Sequence, residues 1–395
     1  MSLKKLLLKS GVNRENTRYT SEGGWYECDK IRFRQGTPEK IGGWQRISAT
    51  TFQGVCRSLW NWVTLGSQNL IAVGTNLKYY IENGGAYSDI TPLRATVTLT
   101  NPFATTSGSP IVTVTDANGG YTDGDYVTYS GASAVGGLTL NGEYQLTLTT
   151  TTNEYTIDAG SAASSTATGG GTVTAAYQIN VGTAFAIPLT GWGAGSWSSG
   201  IYGVGVTSTE SIRLWSESNF GEDLVFGPRG GGMYYWDASN GLTTRGVELS
   251  SLGGASNVPT SQKLIEVSDI NRFVFAFGAN EFGTATVNPM LVRWSDQGSA
   301  IDWTPSVTSQ AGFLTLSNGT EIIAAKQARQ EVLVWTDSAL YSLQYVGAPV
   351  VWSAQLVGEN ISTAAQNCVA YANGVAYWMG KDKFYKYDGR TQPLR

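Results

Sequence analysis

The sequence of 395 residues contains no histidine. This absence excludes Ser-His-Asp and Cys-His catalysis and removes the commonest metal ligand of proteins. Cysteine is also scarce: Cys28, Cys56 and Cys368 are far apart in the sequence and form no Cys-x-x-Cys pair. An odd, scattered set of this kind is typical of free thiols in a protein made in a reducing compartment.

Charged residues and long apolar runs are few as well. Only 14% of the residues are charged, and the formal net charge is −4. A chain of this charge has no general basic field that would hold nucleic acid or an anionic membrane. No apolar run approaches the ~20 residues of a transmembrane helix. We therefore expect no membrane anchoring and synthesis in the cytoplasm.

Glycine and aromatic residues are abundant, with 49 Gly, 13 Trp and 20 Tyr. This composition is typical of strands joined by tight turns. One hairpin pattern recurs along the chain: a β-branched or aromatic run meets a Gly, Asp or Asn turn and returns as a run rich in Tyr or Trp. The five hairpins lie at 70–80, 224–236, 273–294, 332–341 and 375–387.

Each hairpin is preceded by another short apolar stretch, which adds a third strand to the unit. The first four are followed by a further candidate strand: SDITPL, TTRGVELSS, AIDWTPSV and VVWSAQLVG. Four short strands that recur every 40 to 60 residues or so predict an all-β fold, a β-propeller of degenerate four-stranded blades. A large β-sandwich is the alternative.

The fifth unit has three candidate strands and lacks the fourth. A strand from the amino-terminal region could complete the blade, or the sequence could be a fragment whose continuation completes it. We expect the second.

The composition also divides the chain. Residues 98–178 are rich in Thr, Ser and Gly, and segments such as DYVTYSG and NEYTIDA alternate in polarity, which predicts an inserted small β-domain. We predict that residues 1–53 form an amino-terminal arm and hairpin. Residues 54–97 are expected to form the first propeller unit, and residues 179–395 the further units. The stretch GWGAGSWSSGIYGVG (191–205) misses the GxGxxG spacing and is interpreted as a connector.

Carboxylates are the only general acid or base candidates. A pair of them can hydrolyse glycosides, so a carboxylate glycosidase is one functional class to consider. Asp beside Gly, Asn or Ser is also a common turn residue, and we expect turns at all of these positions. The candidates are Glu217, Glu222, Asp223, Asp296, Asp302, Asp382 and Asp388.

One basic cluster stands out, made of Lys30, Arg32, Arg34 and Lys40. Lys30, Arg32 and Arg34 alternate with apolar residues, so on a strand they would share one face. This face could simply be solvated, or it could meet phosphate or an acidic partner. We favour the solvated face on the residues alone.

The same stretch carries a resemblance. DKIRFRQGTPEKIGGWQRI (29–47) resembles the opening motif of the tail tubular or tail nozzle proteins of short-tailed bacteriophages, also called phage stabilisation proteins. GWGAGSWSSGIYG and the closing YWMGKDKFYKYDGRTQPL are similar to other segments of that family. The inserted block is similar to a small β-module that recurs in phage tail proteins.

The resemblance implies a structural virion protein, a β-propeller subunit that assembles as a homo-oligomeric ring, usually a hexamer, below the portal and adaptor. Tail fibre or spike proteins are further expected partners. Double-stranded DNA would pass through the ring during ejection without sequence-specific binding, along a neutral or acidic wall.

The family has no catalytic residues to transfer, so we predict no enzyme, no cofactor and no metal. Lys30, Arg32, Arg34 and Lys40 are expected to contact a neighbouring subunit or the adaptor. The alternative function is a glycan-binding, receptor-binding propeller of the tail.

Overall fold

The structure, a computed structural model, describes residues 9–15, 17–20, 23–43, 45–46, 48–117, 120–182 and 212–394. The chain divides into two compact units, Met1–Ala49 and Thr50–Arg395. The predicted connector at 191–205 lies outside the described residues.

The amino-terminal unit contains one hairpin. Strands β1 (Ile31–Arg34) and β2 (Thr37–Lys40) pair antiparallel. The turn between them places both Gln35 and Gly36 at positive φ, which is the backbone of a two-residue turn that matches the twist of paired strands. Phe33 packs edge-on against Trp25, with ring centroids 6.1 Å apart. These contacts give the hairpin a small apolar side.

The second unit is a five-bladed β-propeller with an eight-stranded sheet after its first blade. Each blade is an antiparallel sheet in which sequence neighbours pair in order, so every blade is a meander. Blade 1 consists of β3 (Cys56–Val63), β4 (Asn69–Thr75), β5 (Tyr79–Asn83) and β6 (Ala86–Asp89).

The eight-stranded sheet is almost closed and is called the insert below. Its strand order is β13-β8-β9-β12-β11-β10-β14-β7, so the first and last long strands, β7 and β14, are neighbours. Its strands are β7 (Leu93–Thr100), β8 (Phe103–Thr105), β9 (Ile111–Thr115), β10 (Tyr126–Ser130), β11 (Gly142–Leu148), β12 (Glu154–Asp158), β13 (Ala167–Gly169) and β14 (Thr172–Gln178).

Blades 2 and 3 follow the insert. Blade 2 consists of β15 (Trp215–Phe220), β16 (Asp223–Pro228), β17 (Tyr234–Trp236) and β18 (Val247–Glu248), and it also carries two short 3-10 turns, Ala238–Asn240 and Leu249–Ser251. Blade 3 consists of β19 (Leu264–Ser268), β20 (Phe273–Phe277), β21 (Leu291–Trp294) and β22 (Gly312–Thr315).

Blades 4 and 5 complete the described chain. Blade 4 consists of β23 (Ile322–Gln327), β24 (Glu331–Thr336), β25 (Ala339–Gly347) and β26 (Val351–Glu359). Blade 5 consists of β27 (Val369–Ala372), β28 (Val375–Met379), β29 (Phe384–Tyr387) and β30 (Thr391–Pro393).

The propeller prediction is confirmed, and the five predicted hairpins occupy equivalent places. Each one supplies the second and third strands of its blade, from β4–β5 in blade 1 to β28–β29 in blade 5. The alternation of apolar runs and tight turns therefore predicts the positions of the repeats correctly.

Two predicted details of the blades are wrong. The fourth strand of blade 3 is β22 and not AIDWTPSV, because Asp302 and Trp303 lie in a loop that folds on itself: Asp296 N donates to Asp302 O at 2.7 Å. Blade 5 also has a fourth strand, β30, which pairs with β29. Its sequence, TQP, lacks the strand pattern, and its proline is tolerated because the strand lies at an edge of the sheet.

The hydrophobic core of the propeller lies between the blades. Aromatic and aliphatic side chains of neighbouring blades form separate clusters at four successive junctions. At the junction of blades 4 and 5, for example, Trp335 packs edge-on against Trp378, with ring centroids 5.4 Å apart. Packing of this kind makes each blade depend on its neighbours for burial.

The insert has a core of its own, with buried Val, Leu, Ile and Tyr side chains. Three tyrosine hydroxyls form a hydrogen-bonded chain: Tyr129 to Tyr155 at 2.5 Å and Tyr155 to Tyr177 at 2.7 Å. Tyr177 then donates to the buried Asp116 at 2.6 Å. Burial raises the pKa of Tyr155 to about 12, so these hydroxyls stay protonated and serve as donors.

The two ends of the insert meet, which gives a test of its independence. Ile179 N donates to Pro92 O at 3.1 Å, so a short glycine linker can replace residues 93–178 without stretching the chain. We expect this deletion variant to be folded, because the insert packs around its own core. Circular dichroism and thermal unfolding would measure this outcome. If the deletion variant loses the circular dichroism spectrum of a β-sheet protein, the insert belongs to the propeller core.

Candidate functional site

The first strands of the blades lie beside one another, as expected of the innermost strands around a propeller axis. β15 is next to β3 and β19, and β23 is next to β19 and β27. Polar side chains on these strands therefore come together although they are far apart in sequence.

An axial cluster forms in this way from Trp60 of β3, Glu217 of β15, Glu266 of β19 and Lys326 of β23. The Lys326 ammonium lies 3.6 Å from the Glu266 carboxylate and 4.8 Å from the centre of the Trp60 ring. Gln327 N donates to Glu266 Oε1 at 3.0 Å. The cluster thus brings together one side chain from each of four blades: a tryptophan ring, two carboxyl groups and one ammonium group.

Both carboxyl groups of the axial cluster hold their protons more tightly than usual. Burial raises the pKa of Glu217 to about 7. The nearby Glu266 carboxylate also raises this pKa, whereas Ser58 and Lys326 lower it in part. Burial also raises the pKa of Glu266, although Lys326 lowers it in part. A carboxyl group with a pKa near neutrality can accept or donate a proton at neutral pH.

Glu217 also corrects the sequence prediction, because it lies in the middle of an inner strand and not in a turn. Its Oε2 atom is enclosed together with the hydroxyls of Ser58 and Tyr79, which act on the pKa of the carboxyl group. The sequence does not reveal this environment, because no local pattern distinguishes an axial strand from an outer one.

The other predicted carboxylates accept hydrogen bonds at turns or strand ends. Glu222 accepts from Leu65 N, and Asp223 accepts from Ala238 N at 2.9 Å. Asp296 accepts from Gln310 N at 2.6 Å, and Asp302 from Ser256 Oγ at 2.5 Å. These bonds hold loops in place.

The last two carboxylates, Asp382 and Asp388, each lie near a lysine that is close in sequence, Lys383 at 3.9 Å and Lys386 at 3.4 Å. Within the described ranges, no three His, Cys, Asp or Glu side chains are close enough to hold a metal ion together. The same ranges contain no helix that is both long and apolar enough to cross a bilayer.

The predicted basic cluster does not form a single face. Arg32 and Arg34 are both exposed on one side of β1, and Arg32 Nε lies 3.2 Å from Glu39 Oε2 on the paired strand. Lys40 is paired with Ile31 and so lies on the other side of the hairpin. Lys30 precedes the strand with φ +57°, which takes it out of the alternation. Arg32 and Arg34 therefore form the exposed basic side.

A buried ion-pair cluster, which the sequence did not reveal, joins blade 1 to the insert. Lys78 is only 3% exposed, and its ammonium lies 3.0 Å from Asp89 of blade 1 and 2.5 Å from Glu143 of the insert. Arg245 of blade 2 also contacts Asp89, at 3.3 Å. Burial alone would raise the pKa of Asp89, but Arg245, Thr91 and Lys78 together lower it below its usual value.

Two solved structures are weakly similar to this chain. No family model matches the chain, and no curated protein matches it. Phage phi92 endosialidase is similar over 87% of this chain and 55% of its own, with 14% identity and a TM-score of 0.28. The extracellular domain of a one-component system from B. thetaiotaomicron is similar over 92% of this chain and 63% of its own, with 10% identity and a TM-score of 0.26.

The chain thus spans less than two thirds of either structure. One sequence prediction is corrected here: the first of these structures is named as an enzyme, and the prediction that the chain is not an enzyme is withdrawn. The missing histidine excludes only mechanisms that need an imidazole, and carboxyl groups remain available at the propeller axis.

Proposed function

We propose that the chain is a structural subunit of the tail nozzle of a short-tailed bacteriophage. In this proposal it forms a ring of identical copies, six in number, below the portal and adaptor of the virion. Duplex DNA passes through the ring during ejection, and fibre or spike proteins are further partners.

One observation supports the proposal most directly: residues 31–40 of the motif that resembles nozzle proteins form a hairpin, which lies in the compact amino-terminal unit. Arg32 is 57% exposed, and Arg34 is also exposed on the same side of β1. Among the described residues, Arg34 has no carboxylate within 4 Å. Arginine is well suited to paired contacts with a carboxylate on another subunit.

Ring formation is the first expected result. Electron microscopy of the purified protein should show rings, and mass measurement should give a multiple of the 42.2 kDa chain, with six copies expected. Changing Arg32 and Arg34 together to alanine should weaken assembly by about tenfold or more, because each arginine loses a charge-assisted bond. A monomer at all concentrations would contradict the ring.

The control for this experiment removes the same charge elsewhere. Lys381 and Lys383 are exposed in the second turn of blade 5, between β28 and β29, and their double alanine variant should assemble normally. Equal assembly of both double variants would show that the hairpin is not the contact surface.

The role of the ring as a DNA conduit needs a separate measurement. A conduit should bind duplex DNA weakly, because many contacts between basic side chains and phosphate would retain the DNA. Binding should be measured at several salt concentrations. Tight binding with a steep salt slope, abolished by the Arg32 and Arg34 changes, would replace the conduit by a protein that grips DNA.

A further inference from the structure

A cleft of about 360 Å³ lies at the end of the propeller where the first strands of blades 2, 3 and 4 begin. Its volume falls in the range of small-molecule pockets, which is roughly 300–1,000 Å³. The residues that matter for its chemistry are Arg213, Arg229, Gln262, Lys263, Pro289 and Glu321.

The cleft has an excess of positive charge. Arg213, Arg229 and Lys263 line it, and Glu321 is the one carboxylate among the described residues of its lining. Lys263 Nζ lies 2.6 Å from Glu321 Oε2, so these two charges offset each other and the two arginines remain. Two guanidinium groups in a concave site favour a ligand with a carboxylate or phosphate group.

The guanidinium groups are positioned by neutral acceptors. Arg213 Nη1 donates to Asn180 O at 3.0 Å, and Arg229 Nη2 donates to Gln366 Oε1 at 3.1 Å. Neither bond neutralises the charge. Arg229 Nε is buried and has no hydrogen-bond partner within the described part of the chain, so this side chain gains a bond by turning toward a ligand.

Gln262 adds an acceptor at the same place. The residue is fully buried, and its Nε2 atom faces three carbonyl oxygens, the nearest being Pro228 O at 3.1 Å. This arrangement fixes which end of the amide is the oxygen. The Oε1 atom is enclosed without a donor among the described residues, so it is an acceptor that a hydroxyl group on a ligand would satisfy.

We propose that this cleft binds a small hydroxylated oxyanion, such as a sugar acid or a sugar phosphate. The oxyanion lies between Arg213 and Arg229, and a ligand hydroxyl donates to Gln262. This site is independent of the nozzle role, because it uses the propeller and not the amino-terminal hairpin.

Titration calorimetry with the full chain tests the proposal. The probes are glucuronate and glucose 6-phosphate, with glucose and inorganic phosphate as comparison ligands. We expect both anionic sugars to bind and glucose not to bind. A preference for only one of the two would identify the oxyanion as carboxylate or as phosphate. Inorganic phosphate that binds as tightly as glucose 6-phosphate would overturn the role of the hydroxyl.

Three variants locate the site. Arg229→Gln should weaken binding by about tenfold or more, because it removes a charge-assisted bond. Glu321→Gln should tighten binding severalfold, because it removes the nearby negative charge, and an unfolded variant could not produce that gain. Lys383→Gln, a control at an exposed lysine of blade 5, should bind like the wild type.

Three outcomes would each overturn the proposal. The first is that neither anionic sugar binds to the wild-type protein. The second is that Arg229→Gln binds the anionic sugars as tightly as the wild type and keeps the circular dichroism spectrum of a β-sheet protein. The third is that Lys383→Gln weakens binding as much as Arg229→Gln, since the effect would then come from general charge and not from the cleft.

Discussion

Replacing Lys78 by methionine is expected to lower the free energy of unfolding by about 3–5 kcal/mol, the cost of removing one partner from a buried ion pair. The ammonium is enclosed between Asp89 and Glu143 and also lies 5.0 Å from the centre of the Tyr126 ring. Methionine fills a similar volume but leaves two carboxylates without their shared cation. Urea unfolding followed by tryptophan fluorescence would measure the change.

A second variant separates the charge from the packing. Changing Glu143 to Gln together with Lys78→Met should restore part of the lost stability, because only Asp89 then remains as a partly buried carboxylate, and Arg245 still contacts it. Lys383→Met, a control at an exposed lysine, should change stability by less than about 0.5 kcal/mol. A loss below about 1 kcal/mol for Lys78→Met would show that water reaches this cluster.

The propeller could be predicted because its signal is local. A strand, a tight turn and an aromatic strand occupy consecutive residues, and the pattern repeats once per blade. The two errors in the predicted strands occur where the residue pattern does not match the strand pairing in the structure. AIDWTPSV has strand-forming residues, but Trp303 is instead buried in a loop with its Nε1 bonded to Ala300 O at 2.8 Å. A short edge strand such as β30 gives no local signal at all.

The candidate sites depend on distances that the sequence does not encode locally. Glu143 is 65 residues from Lys78, and Lys326 is 60 residues from Glu266, so each contact follows from how the blades and the insert pack. The cleft is similar, because Arg213, Arg229 and Lys263 come from the ends of different strands. Only the hairpin with Arg32 and Arg34 is a local feature, and the sequence did identify it.

Glu217 predicts a dependence of stability on pH. Its pKa is raised from the usual value near 4.5 to about 7 in the folded chain, so the folded state binds this proton more tightly than the unfolded state. Stability is therefore greatest below pH 4.5, falls as the pH rises toward 7, and changes little beyond that on account of this group. The fall should be about 3 kcal/mol, since each pKa unit corresponds to about 1.4 kcal/mol.

The variant Glu217→Gln should remove most of that fall, because the amide has no charge to bury. The measured quantity is the difference in unfolding free energy between variant and wild type, which should shift by about 3 kcal/mol in favour of the variant between pH 4.5 and pH 8. Glu266, whose pKa is also raised by burial, keeps a smaller slope of the same sign in both proteins. The exposed Glu281→Gln serves as the matched control and should show no such shift. If Glu217→Gln and Glu281→Gln respond to pH alike, the Glu217 carboxyl group is hydrated and the axial cluster does not hold a proton at neutral pH.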